Sequence, residues 1–219
     1  MGFLEAAVVI YLREMYYKDG FTFPLKPMST SIVFVELLRE LATIIMLICI
    51  GYVAGKTKLQ RFAYFGLAFA VWDIFYYVFL YLFLDWPESL FTWDILFLIP
   101  VPWVGPVWAP CTLSMLMIVG SVFVIVRCHK NENYSVPIVQ WLSVISGAIV
   151  CFVSFILDYF TYQQKHQAFL NNAKWLDDLS GYVPQYFNSL LFLTGMALMA
   201  LPVLYSMFSS LIIKSNIKR

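Results

Sequence analysis

The residues best placed to do chemistry in this chain are charged side chains embedded in apolar sequence. Glu36, Arg39, Glu40 and Thr43 follow one another at i, i+3, i+4 and i+7, a spacing that puts all four on one face of a helix. Asp73 sits in the middle of another apolar run, with Tyr76 and Tyr77 one turn later on the same side. Arg13 and Glu14 lie in the first apolar stretch, and Ser154, Asp158 and Tyr162 recur at four-residue spacing further on. Gln185, Asn188 and Ser189 open the last run. An ionisable group at the centre of a membrane helix costs roughly 2.5–3.5 kcal/mol on insertion scales, so it normally turns toward the bundle interior. Carboxylates in such a place bind protons or cations. Glu36, Arg39, Glu40 and Asp73 are therefore the primary ion- or proton-binding candidates. Arg13, Glu14, Tyr77, Asp94, Asp158 and Asn188 are read as supporting them.

The charge balance sharpens this reading. Glu5, Glu14, Glu36, Glu40, Asp73 and Asp158 place six carboxylates in the apolar segments, against two guanidinium groups from Arg13 and Arg39. Desolvation forbids that many bare negative charges, so some acids are protonated or a cation is bound. A structural role stays open beside this one. Arg39 can pin helices together by pairing with Glu36 and Glu40, and Asp73 can be a protonated acid bonded to a tyrosine.

Other chemistries find little support. The two histidines, His129 and His166, fall in loops, which excludes a bis-histidine haem inside a bundle. There is no HExxH motif, no Ser-His pair within the apolar runs and no glycine-rich phosphate loop. No cofactor is expected, and catalytic residues cannot be named. A metal site is conceivable only as an all-oxygen one from Glu36, Glu40 and Asp73. Cys49, Cys111, Cys128 and Cys151 are scattered and read as small packing residues.

The elements that must position these residues follow from composition. The chain has 219 residues, of which 62% are hydrophobic and 12% charged, and its mean hydropathy is +0.79. A soluble domain is closer to half apolar and a quarter charged. Continuous apolar runs of about twenty residues suit helices that cross a bilayer, not the alternating strands of a barrel. The expected fold is all-α: a polytopic integral membrane protein with about six transmembrane helices and no soluble domain. The segments are 3–17, 31–54, 62–84, 111–126, 136–162 and 186–213. The first barely spans and is read either as crossing or as lying in the interface. Gly51 and Gly55 form a GxxxG pair that suits a close helix contact.

Basic residues sort the loops. Lys56, Lys58, Arg61, Arg127, Lys130, Lys214, Lys218 and Arg219 fall on one side, which should face the cytoplasm with both termini. The opposite loops are richer in acids. One of them, 85–110, holds four prolines between Pro100 and Pro110 and is too apolar for a solvated loop. It is expected to be re-entrant, with a short helix dipping into the outer leaflet and an extended return. Gln163–Gln185 is expected to form an interfacial cap.

Cation- or proton-linked transport, or binding of a small solute, is the expected function. The alternatives are an accessory subunit of a larger membrane complex and, less favoured, a membrane-embedded enzyme acting on a lipid or isoprenoid. The expected partners are the lipid bilayer and further membrane subunits or copies of the chain. A net charge of +1 argues against nucleic acid.

Overall fold

The computed structural model describes residues 1–17, 20–131, 133–165 and 180–217, with side chains through residue 208. Among these the elements are α1 (Gly2–Tyr16), α2 (Thr30–Ala54), α3 (Lys58–Leu84), β1 (Trp93–Phe97), β2 (Trp103–Pro106), α4 (Trp108–Lys130), α5 (Ile138–Lys165) and α6 (Ser189–Ile217). The protein is mostly helical, at 73%. Among the described residues, four helices are long and apolar enough to cross a membrane: Lys58–Leu84, Trp108–Lys130, Ile138–Lys165 and the Ser189–Phe208 part of α6. α1, with 15 residues, is about 22 Å long at the usual helical rise, short of the roughly 30 Å of hydrocarbon.

The region between α3 and α4 departs from expectation. Trp93–Phe97 is a β-strand, where a short dipping helix was expected within 85–110. It pairs antiparallel with Trp103–Pro106 in the register Trp93↔Pro106, Asp94↔Gly105, Ile95↔Val104 and Phe97↔Trp103, with a shift between Ile95 and Phe97. The local sequence explains the outcome. Trp93, Ile95, Phe97, Trp103 and Val104 are strand-favouring, and Pro100, Pro102 and Pro106 deny a helix its backbone donors. Gly105 lets β2 pack closely: a Cβ there would lie 3.0 Å from the Phe155 ring, tight enough to make that side chain shift.

The chain divides into two compact units. The first comprises Met1–Met46, Val71–Thr112 and Phe155–Phe187; the second comprises Leu47–Ala70, Leu113–Ser154 and Asn188–Arg219. In the first, Ala6, Tyr77, Leu80, Trp86 and Val107 form one buried apolar cluster. Tyr17, Leu25, Val104, Tyr159 and Tyr182 form another. The second unit is built on small residues. A Cβ on Gly147 of α5 would meet the Gly195 carbonyl oxygen of α6 at 2.6 Å, and Cys151 Sγ donates to the Phe192 carbonyl at 3.7 Å. Gly51 lies against α3, where a Cβ would meet the Arg61 carbonyl oxygen at 2.7 Å. That is the close contact its pairing with Gly55 implied. All four cysteines are free.

Several charged residues behind the inside-outside reading lie outside the described residues: Lys18, Asp19, Glu132, Lys174, Asp177, Asp178, Lys218 and Arg219. So do His166 and most of the expected cap, 166–179.

Candidate functional site

One face of α1, one of α2, one of α3 and the strand β1 line a shared cavity of about 150 Å³ in the first unit. α1 contributes Glu5, Val9, Leu12, Arg13 and Tyr16, spaced as one helical stripe. α2 contributes Glu36, Arg39 and Glu40, and α3 contributes Trp72, Asp73, Tyr76 and Tyr77. β1 and the residue after it contribute Asp94 through Leu98. All four primary candidates thus meet at one cavity.

Two ionic groups organise it. In the first, Arg39 donates through Nε to Glu36 Oε2 at 2.7 Å and through Nη1 to Glu5 Oε2. The i, i+3 spacing makes the Glu36 contact local, whereas the Glu5 contact ties α1 to α2. Thr43 turns its hydroxyl back to the Arg39 carbonyl at 3.0 Å. Beside this triad, both Glu40 oxygens accept the Leu98 backbone N–H, at 3.0 and 3.1 Å. Glu40 is thereby the anchor for the end of β1.

In the second group, Asp94 Oδ2 accepts the Tyr77 hydroxyl at 3.1 Å, and Oδ1 lies 3.8 Å from Arg13 Nη2. The Arg13 guanidinium stacks 3.7 Å from the Trp86 ring centroid and 4.5 Å from that of Phe21, favourable for a delocalised cation. Asp94 is 3% exposed. Burial pushes its carboxyl up to about 6, outweighing the opposing pull of Arg13 and the Tyr77 hydrogen bond.

The supporting candidates separate. Arg13, Tyr77 and Asp94 belong to the site, and Asp94 is central to it. Glu14 is exposed on α1 and does not line the cavity. Asp158 is engaged elsewhere: it accepts the Tyr182 hydroxyl at 2.7 Å and the backbone N–H groups of Gln185 and Tyr186 at 3.1 and 3.3 Å. Asn188 caps α6, its Oδ1 accepting the Leu191 N–H at 3.0 Å. Glu36, Glu40 and Asp73 do not converge as an all-oxygen metal site. Among the described residues no set of three His, Cys, Asp or Glu side chains is arranged to hold a metal ion.

Sequence reasoning missed two contributors, Trp86 and Leu98, and counted Glu5 without naming it as a site candidate. Trp86 gives the Arg13 guanidinium its stacking face, and Leu98 supplies only a backbone donor, so neither announces itself by residue type. Glu5 was visible as a charge in an apolar run, but its partner stands 34 residues away. No family model, curated protein or solved structure matches the chain.

Proposed function

We propose that this is an integral membrane protein that binds a small solute in the α1–α2–α3–β1 cavity and couples that binding, or the solute's passage, to protons or a cation. The observation that carries the reading is the charge of the cavity wall. Glu5, Glu36, Glu40, Asp73 and Asp94 face it with Arg13 and Arg39, three more carboxylates than guanidinium groups. A largely buried site cannot hold that excess bare, so protons or a bound cation complete it. On this reading α1 and α2 join the four long apolar helices as crossings, giving six. The basic segments Lys56–Arg61, leading into α3, and Arg127–Lys130, closing α4, then face the cytoplasm with both termini, and segment 85–110 lies re-entrant on the opposite side.

The test is proton and cation flux in liposomes reconstituted with the full chain. Flux driven by a solute or ion gradient is expected in wild type and is expected to fall at least tenfold in the Glu40→Gln, Asp73→Asn double variant. Equal flux from the two proteins would remove the proposal.

A further inference from the structure

The second unit carries the opposite charge balance from the cavity. Its sequence holds a single acid, Glu132, against eight lysines and arginines. Among the described residues every ion pair lies in the first unit. Three of the basic residues meet at the turn from α2 into α3. Gly55 lets the chain close there, since a Cβ on it would stand 2.7 Å from the Arg61 Cα. The Arg61 side chain lies back over the turn. Its Nε donates to the Gly55 carbonyl at 3.1 Å, and its guanidinium carbon stands 3.8 Å from the Tyr52 ring centroid. Lys56 follows Gly55 directly, and Lys58 stands three residues before Arg61 on the same face of α3. The turn itself is fixed. Gln60 Oε1 accepts the backbone N–H groups of Lys56 and Thr57 at 2.9 and 3.3 Å, and Thr57 Oγ1 accepts the Gln60 N–H at 3.2 Å. Among the described residues the Arg61 Nη groups and the exposed Lys56 and Lys58 side chains have no carboxylate partner. A guanidinium held through Nε and one face, with its Nη edge open, is pre-set for a phosphate.

The surroundings say where that phosphate comes from. α3 is long and apolar enough to cross a membrane and begins at this turn, so a crossing α3 puts the three cations at headgroup level. Tyr52, Val53 and Phe62 are exposed apolar side chains beside them. Phe62 packs edge-on against Trp141 of α5 at 5.2 Å between ring centroids, and tyrosine and tryptophan are the rings that settle at the membrane–water boundary. A soluble anion would use the charges and leave the apolar side chains uncovered, whereas a phospholipid covers both. A zwitterionic headgroup brings an ammonium group of its own, which uncompensated cations repel; an anionic headgroup brings none.

We propose that the turn from α2 into α3 binds an anionic phospholipid, its phosphate on the open Arg61 edge beside Lys56 and Lys58 and its acyl chains along Tyr52, Val53 and Phe62.

The experiment is native mass spectrometry of the purified full chain in detergent, titrated with dioleoylphosphatidylglycerol, dioleoylphosphatidylcholine and glycerophosphoglycerol. The last is the anionic headgroup without chains. The first phosphatidylglycerol is expected to bind at least fivefold tighter than the first phosphatidylcholine, and glycerophosphoglycerol is expected not to be retained. The Lys56→Gln, Lys58→Gln double variant, which removes two exposed side chains, is expected to lower that preference at least threefold. Arg61→Lys keeps the charge and loses the guanidinium fork, and is expected to weaken phosphatidylglycerol several-fold. The Arg127→Gln, Lys130→Gln double variant removes the same charge from the end of α4 and is expected to leave the preference unchanged. Equal affinity for the two lipids, or a preference that survives the Lys56 and Lys58 substitutions, would overturn the proposal. So would an equal loss in the Arg127 and Lys130 control, which would make the effect one of diffuse charge. Glycerophosphoglycerol held as tightly as the lipid would make this a site for a free anion and overturn the lipid assignment.

Discussion

Glu40, on α2, holds the backbone of Leu98 through both carboxylate oxygens. Leu98 stands one residue beyond β1, past the register shift between Ile95 and Phe97. A side chain from a helix therefore supplies the acceptor at the strand's end, and Glu40 itself is only 7% exposed.

This arrangement separates the charge of Glu40 from its role as acceptor. Glu40→Gln keeps an oxygen for the Leu98 N–H and loses only the charge-assisted part, so it should cost about 1 kcal/mol. Glu40→Ala leaves a largely buried donor unpaired and should cost about 1–3 kcal/mol. Thermal unfolding in detergent, with amide exchange at Leu98, checks both. Equal destabilisation by Gln and Ala would mean that the charge, not the acceptor, holds the strand.

Tyr77 and Asp94 form a buried hydrogen-bonded pair that is separable from the Arg13 contact. Tyr77→Phe removes one hydroxyl without changing ring packing, and about 1 kcal/mol of stability should go with it. In a double-mutant cycle with Asp94→Asn the two losses should fall short of additivity, because each removes part of the same interaction. Strict additivity would count against the bond.

How much of this was legible beforehand depends on the range of each interaction. The Glu36–Arg39–Glu40 face and the Asp73–Tyr76–Tyr77 face follow from helical periodicity, and the structure brings both to one cavity. Asp94 was visible as a charge in an apolar loop, but its partners Arg13 and Tyr77 come from two different helices, and no local pattern encodes that meeting. The short apolar run at Trp93–Phe97 illustrates a different limit. Periodicity does not separate a buried strand from a short helix over five residues, and its aromatic and β-branched content with prolines after it was the signal that favoured a strand. Asp158 and Asn188 had the right residue types for the cluster, yet one binds the Tyr182–Tyr186 segment and the other caps α6.

Asp94 predicts a pH dependence with a definite sign. Its carboxyl ordinarily titrates near 3.8 and in the folded protein near 6. Between those values the folded chain holds a proton that the unfolded chain has lost. Stability from this group is therefore fully present below about pH 4 and falls as pH rises toward 6 and above, by about 2–3 kcal/mol in all. Because other acids titrate as well, the contribution of Asp94 is the difference between wild type and Asp94→Asn. That difference should shrink the melting-temperature advantage of wild type as pH climbs from 4 to 7. A difference that grows over this range would reverse the sign and refute the assignment.

Arg13 should not tolerate lysine. Its guanidinium stacks on Trp86 and Phe21 while reaching Asp94, and a lysine ammonium has no planar face to do both. Arg13→Lys should cost about 1–2 kcal/mol, and Arg13→Met more, since it leaves Asp94 buried without its guanidinium. Raising the pH should widen the gap between Met and Lys, because Asp94 then loses its proton. Equal stability of the Lys and Met variants at pH 8 would show that the positive charge near Asp94 contributes nothing.

In the second unit the α5–α6 contact has no room for a side chain. A Cβ at Gly147 would stand 2.6 Å from the Gly195 carbonyl oxygen and 2.9 Å from the Met199 backbone nitrogen. Both neighbours are backbone atoms, so relief requires the helices to separate. Gly195 faces the reciprocal limit, at 2.7 Å from the Gly147 carbonyl oxygen. Close backbone approach through small residues is how membrane helices gain packing without a hydrophobic drive. Gly147→Ala should therefore cost about 1–3 kcal/mol despite the higher helix propensity of alanine. Gly120→Ala is the control, since its Cβ would meet only the Val203 side chain at 3.4 Å, and it should be neutral or stabilising. Comparable melting temperatures for the two variants would mean that α5 and α6 are not held at this distance.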